Sequence, residues 1–392
     1  MGTVKTYRRG THRVATPDET WDRFSPCMSR AGITRIASIT GLDRIGIPVY
    51  VGVRPQSRGL TTSQGKGFSR AAAKVSALME SLEGWHGERV RCEAYLPAWE
   101  VLEETGAPPV AISALASATT QGPDEDMRMP WVRGRSLCSG TDVMVPYDAV
   151  STDFTQTSSS PIPKTTNGLA SGNSLAEAAL HGLLEVVERD RLTQYIHGEI
   201  EARLIDLASV TDVHLMELCQ RLSAAAVPVR AQILGRGTVT VCAAQLAPER
   251  QHAGAGMACF AGYGAHLDPH VALARALTEA IQSRATLISG SRDDLWPSHY
   301  ATTLDPWVTD AWVAEFGHRE PNVDFSEEKD ESSETVEEDI DAVIDSIRGR
   351  ALDVVCVDLS RLEMQVPVTK VVVPGLYGLP FHGLGGKVST HV

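Results

Sequence analysis

Runs of alternating and β-branched apolar residues in this 392-residue chain give way three times to long Ala- and Leu-rich stretches. Residues 33–40 and 47–53 predict two strands joined by a turn that starts at Gly41 and ends at Gly46. Ahead of them, Thr16 and Pro17 predict a helix start, with Asp18 and Glu19 favourably placed in its first turn. Residues 69–88, 174–197 and 268–288 predict three long helices, the last closed by Gly290. Between the second and third, residues 228–234 and 238–246 alternate as a hairpin around Gly235 and Gly237. A Gly-rich strand follows at 253–264, and 353–358 and 366–373 predict two buried strands. Residues 104–166, punctuated by Pro108, Pro109, Gly122 and Pro123, predict loops over a pocket mouth. The repeated grouping of two strands and a helix predicts one intertwined α+β domain over residues 1–392. Its parts are amino-terminal strands (1–57), a helical core (58–320), an acidic loop and helix (321–350) and carboxy-terminal strands (351–392).

The helices carry their polar residues in a telling place. The first has Glu80 and Glu83 behind the Gly-rich turn at Gly65, Lys66 and Gly67. The second has Glu177, Glu185, Glu188 and Arg189 behind Gly172 and Asn173. A weaker third copy has Glu279 and Gln282, with Arg284 beyond them. Residues three apart share a helix face, so each helix presents a pair of oxygen ligands among Leu, Ile and Val. A single such pair is commonly a solvated helix edge. Three pairs, each led by glycine, are better explained by convergence. Acids on a half-buried face are costly unless cations or donors meet them, so the expected occupants are Mg²⁺ ions and the phosphates they carry.

Composition narrows the alternatives. No apolar run approaches the ~20 residues needed to span a bilayer, and no apolar segment follows the basic amino terminus as a secretion signal would require. Seven scattered cysteines without a Cys-x-x-Cys pair suit reduced thiols in a cytoplasmic protein and argue against structural zinc. The net charge of −13 is concentrated in residues 324–345, which hold eleven acids against Lys329. That segment predicts a solvated loop leading to a short helix at about 333–348. No basic stripe of the kind nucleic-acid binding requires is present.

Together, Gly65-Lys-Gly67 with Glu80 and Glu83, and Asn173 with Glu177, Glu185, Glu188 and Arg189, resemble the motifs of the YcaO family over most of the chain. The stretches at 10–13, 32–35, 40–43, 46–49 and 373–376 resemble the subgroup that works with the protein TfuA. The resemblance implies a YcaO-type fold of mixed sheets and packed helices, with ATP and Mg²⁺ as cofactors. It implies metal coordination by Glu80, Glu83, Glu185 and Glu188, and phosphates facing Arg189. It places Asn173 and Glu177 against ATP or its metals, and Gln282 and Arg284 at the last phosphate contacts. Arg13 and Thr20 keep the family's seven-residue spacing of a basic residue and a hydroxyl, with Arg in place of the expected Lys. The implied chemistry is ATP-dependent O-phosphorylation of a backbone amide in a ribosomally made peptide or a protein. The tail after Pro380 lacks a Pro-x-Pro-x-Pro run and no separate leader-gripping module is evident, as in members that install a thioamide with a TfuA-type sulfur-delivery partner. Azoline or macrocyclic amidine formation is the alternative, and a non-catalytic ATP-binding accessory is a further one. A homodimer is left open.

Overall fold

The computed structural model describes residues 2–115, 126–157, 160–247, 259–298, 300, 310 and 319–378. Counting helices of eight residues or more, they are α1 (Pro17–Phe24), α2 (Arg70–Gly87), α3 (Leu175–Ile196), α4 (Val213–Ala224), α5 (Pro269–Ser289) and α6 (Val336–Ile347). The architecture is α+β.

The strands form three sheets among the described residues. The first joins β1 (Arg35–Ser38), β2 (Val49–Val53) and β3 (Thr62–Lys66), all antiparallel, with Val49 opposite Lys66. The second is built on β4 (Ala94–Leu96), β5 (Met129–Ser136), β6 (Asp142–Pro146) and β7 (Leu169–Ser171), completed by β13 (Val355–Asp358) and β14 (Val368–Val372). The third orders β11 (Phe260–His266), β10 (Thr240–Leu246), β9 (Val229–Leu234), β8 (Ala202–Asp206) and β12 (Val323–Asp324).

One strand of each sheet runs directly into a long helix: β3 into α2, β7 into α3, and β11 into α5. The entries are capped alike. Ser69 accepts from the Ala72 amide, Ser174 from the Glu177 amide and Asp268 from the His270 amide, which satisfies donors that a helix start leaves unpaired. Strand and helix touch backbone to backbone. A Cβ on Gly65 would lie 2.1 Å from the Ala77 nitrogen, and one on Gly262 2.2 Å from the Ala280 nitrogen. The glycine in Gly-Lys-Gly therefore belongs to a strand packed on its own helix, and does not close a loop around an anion.

α3 holds the second and third sheets together. Leu183 and Val187 share a core with Val241 and Ala265 of one sheet, Val371 of the other, and Ile340 and Val343 of α6. Leu183 is wholly buried, a setting in which truncation to Ala costs about 2–5 kcal/mol.

One expectation changes, one falls partly outside the described residues and one holds with an addition. Residues 104–166 are not all loop, because 129–146 form the β5–β6 hairpin, with Arg133 opposite Met144. Both its faces are buried, Met129, Trp131 and Met144 on one and Val132, Val143 and Val145 on the other, so tertiary packing outweighs the local Pro and Gly content. The strand expected at 253–264 is described only from Phe260 onward, since 251–258 lie outside the described residues. The acidic segment forms the mostly exposed loop and the short helix expected of it, but the helix is more than a solvated connection. Its helix α6 starts with a Thr335–Glu338 capping box and buries Val336, Ile340, Val343, Ile344 and Ile347. Asp339 is fully buried against Lys5 at 2.5 Å. The apolar spacing within the charge run, not its charge, decides where it packs.

Candidate active site

The three β-α units face one cavity of about 1230 Å³. Each helix contributes a row at i, i+4 and i+7: Ser76, Glu80 and Glu83 from α2; His181, Glu185 and Glu188 from α3; Arg275, Glu279 and Gln282 from α5. That spacing follows one helix face over two turns. Arg13, Thr20, Asn173, Glu177 and Arg189 line the same cavity.

Burial without enough cations perturbs the acids. Burial pushes Glu80 up to about 8, helped by the charge of Glu83 and opposed by Lys66 and the Gln64 amide. Burial likewise lifts Glu83 to about 7, against two hydrogen bonds from Ser171. Glu188 rises to about 7 and Glu185 also rises, both through burial, with Arg189 opposing. Among the described residues neither the Glu185 nor the Glu188 carboxylate accepts a hydrogen bond; Arg189 approaches them at 4.0 and 3.6 Å. Although burial opposes its charge, Arg189 is held above its usual range by Glu188, Glu185 and Glu279. Glu279 behaves differently. Burial raises it, but Lys66 at 2.6 Å and then Arg189 bring it below the usual carboxylate range.

At the rim, Glu177 accepts from Arg13 Nη1 at 3.2 Å and from the Val14 amide at 2.9 Å, while the Thr20 hydroxyl lies 3.0 Å from Asn173 Oδ1. Arg284, expected at the phosphates, is placed elsewhere. Its Nε lies 3.1–3.2 Å from both oxygens of Asp43, and it does not line the cavity. Five residues beyond Glu279, it sits about 140° round the helix, so the face that carries Gln282 inward carries Arg284 away.

Several residues escaped the sequence reading. Arg275 and His181 each lie one turn before an acid in its row, so extending the acid pairs by four residues would have found them. An Arg275 guanidinium nitrogen is 3.0 Å from His181 Nε2. Arginine can only donate, so His181 accepts there and is neutral, in line with a pKa well below its usual range through burial and the Arg275 charge. Lys370, 1% exposed at the centre of β14, donates to the Thr165 carbonyl. Burial lowers it to about 7, and the charge of Glu185 partly restores it.

The donor set suits Mg²⁺. It is made of carboxylate oxygens on rigid helices, their repulsion is only partly neutralised by protein cations, and Mg²⁺ is generally held by one or two carboxylates together with phosphates and waters. Accordingly, no group of three or more His, Cys, Asp or Glu forms a ready-made metal cage among the described residues. Glu80 with Glu83, and Glu185 with Glu188, are the pairs that fit.

A three-helix cavity of buried acids, with no phosphate loop among the described residues, suits an enzyme that binds a nucleotide through its metals, and comparison with known proteins agrees. The family described as YcaO cyclodehydratase, ATP- and Mg²⁺-binding, matches residues 64–377, and the chain belongs to the YcaO family. An uncharacterized protein of Mycobacterium tuberculosis is 36% identical over 401 residues, covering 95% of this chain and 84% of that protein. A Rhizobium leguminosarum bv. trifolii protein, named for its position in the tfuA 3′ region, is 33% identical over 380 residues, covering 93% and 88%. The structure of YcaO from Methanopyrus kandleri bound with AMPPCP and Mg²⁺ superposes with a TM-score of 0.74 at 26% identity, covering 95% of this chain and 94% of that one. The chain is thus an ATP-dependent, cyclodehydratase-like enzyme with ATP and Mg²⁺ as cofactors. No helix among the described residues is long and apolar enough to cross a membrane.

Proposed function

We propose that this enzyme activates a backbone amide of a peptide or protein substrate for exchange of its oxygen by sulfur, yielding a thioamide, with sulfur delivered by a TfuA-type partner. The observation that carries the amide activation is the convergence of Glu80, Glu83, Glu185 and Glu188 in one cavity with Arg189. The sulfur assignment draws on the relative in the tfuA 3′ region.

In this reading Glu80 and Glu83 would hold one Mg²⁺, and Glu185 and Glu188 another. Once sulfide has added to the amide carbon, bound ATP would supply the phosphoryl group that makes the amide oxygen a leaving group, ADP and then phosphate being released as the thioamide forms, and Mg²⁺ would neutralise the triphosphate. The protein's own work is electrostatic placement. Arg189, kept charged by the surrounding acids, faces the phosphates, and Gln282 bounds them on α5. Asn173 and Glu177 hold the nucleotide edge in place together with Thr20 and Arg13. Lys66 keeps Glu279 ionised beside them. Preorganised charge of this kind acts without reorganisation during the reaction. The raised acids Glu80, Glu83 and Glu188 give up their protons as cations arrive, so metal binding and proton release are coupled.

Azoline or macrocyclic amidine formation is the second reading, favoured by the cyclodehydratase description of the family. One experiment separates the two. The purified protein, a TfuA-type partner, ATP, Mg²⁺, sulfide and the candidate peptide from the genomic neighbourhood are combined and analysed by mass spectrometry. A thioamide makes the peptide heavier by the oxygen-for-sulfur difference and requires sulfide. A product lighter by one water and formed without sulfide rejects the thioamide in favour of cyclodehydration.

A further inference from the structure

The acidic helix and the amino-terminal arm lie at opposite ends of the sequence and are fastened together. The Val336 amide donates to the Thr3 carbonyl at 2.9 Å and the Lys5 amide to the Glu334 carbonyl at 3.1 Å. Thr3 gives its amide and its hydroxyl to Glu337, both at 2.7 Å. Lys5 Nζ meets Asp339 Oδ2 at 2.5 Å with side chains 1% and 0% exposed, and the other Asp339 oxygen accepts from the Ser333 amide at 2.7 Å.

From that anchor the arm runs to the cavity. Tyr7 and Arg13 exchange backbone hydrogen bonds at 2.9 and 2.8 Å, closing a hairpin whose tip, Arg9, Gly10 and Thr11, lines the cavity. Gly10, at φ +65°, is pressed so closely on Phe68 that a Cβ would lie 2.2 Å from the ring. The returning leg is held by His12 Nε2 against Asp268 at 3.3 Å, the residue that caps α5, and by Arg13 against Glu177 in the first turn of α3. The arm thus ties α6 to the entries of α3 and α5.

A fully buried ion pair is a poor source of stability, since apolar residues of the same size do as well. What it does supply is a fixed location. We propose that Lys5 and Asp339 are positioning residues for the nucleotide site: by pinning the arm to α6 they hold Arg13 and the hairpin tip at the cavity rim. This rests on the reading above, in which Arg13 faces the nucleotide.

The test is a double-mutant cycle with the Mg²⁺ complex of AMPPCP as probe, read by calorimetry, alongside thermal melting. Lys5→Met is expected to weaken binding by roughly tenfold. Combined with Arg13→Ala it should add little to Arg13→Ala alone, because both act through the same guanidinium. Asp339→Asn keeps the shape and the Ser333 acceptor, and serves as the milder variant if Lys5→Met fails to fold; it should weaken binding in the same non-additive way. Arg13→Ala weakening binding while Lys5→Met or Asp339→Asn lowers only the melting temperature overturns the proposal and leaves the nucleotide reading standing. So does a loss that adds in full to that of Arg13→Ala. Unchanged binding in Arg13→Ala itself overturns both.

Discussion

Ser171 on β7 gives its backbone amide, at 2.9 Å, and its hydroxyl, at 2.7 Å, to the same oxygen of Glu83 on α2. The second β-α unit thereby holds an acid of the first, and the two donations oppose the burial that lifts Glu83 to about 7. Ser171→Ala removes the hydroxyl and keeps the amide, so Glu83 should titrate at a higher pH still. Affinity for Mg²⁺-AMPPCP, followed by calorimetry on acidification, should then fail at a higher pH than in the parent enzyme. An unchanged acid limb would remove Glu83 from the binding site.

The raised acids also set how the ligand-free enzyme responds to pH. Glu80, Glu83 and Glu188 titrate near 4.5 when unfolded and at about 8, 7 and 7 when folded. Below about pH 4.5 both states keep the protons; above it the unfolded chain releases them first, so this contribution to stability is lost as pH rises toward 8. The melting temperature without ligand should fall over that window, and Mg²⁺ with AMPPCP should flatten the slope. Glu188→Gln should reduce the slope and leave the fold intact while abolishing ATP turnover. A Glu188→Gln enzyme with normal turnover would make these acids structural.

Much of the site is visible in the sequence because its signal is local. Acids three apart on an Ala- and Leu-rich helix advertise a face, and the neighbouring glycines mark where something must come close. The meaning of those glycines is not local, since Gly65 serves the backbone of α2 and not a phosphate. Pairings such as Lys5–Asp339, separated by more than three hundred residues, leave no periodic trace, and the −10 charge of the surrounding run hides the apolar stripe of α6. Arg284 shows the remaining limit, because a helix position has no inside until the helix has docked.

Gly65→Ala should be severely destabilising. A methyl group there would sit 2.1 Å from the Ala77 nitrogen and 2.2 Å from the Ala73 carbonyl oxygen, and backbone cannot yield as a side chain can, so a loss of about 3 kcal/mol or more is expected. Gly41→Ala, with nothing within 4 Å, is the control and should melt close to the parent. Equal melting of the two variants would show that β3 and α2 do not touch.

Arg284→Ala should lower stability by about 3 kcal/mol, because it strands the buried Asp43 carboxylate. Affinity for Mg²⁺-AMPPCP should stay at the parent value in the folded fraction. A loss of nucleotide affinity without a loss of stability would return Arg284 to the phosphates.

The three inward rows repeat in geometry and differ in sign. Two begin with an uncharged group, Ser76 or neutral His181, and continue with paired acids. The third begins with Arg275 and carries one acid, already answered by Lys66. A frame with approximate threefold repetition would, left uniform, look alike from each side. Unequal charge gives it a polarity, with paired acids on α2 and α3 and, on α5, a single acid that Lys66 already pairs. Under the function proposed above, a polyanion entering with its metals would therefore have a head and a tail within the chamber, its bond aimed before any substrate arrived.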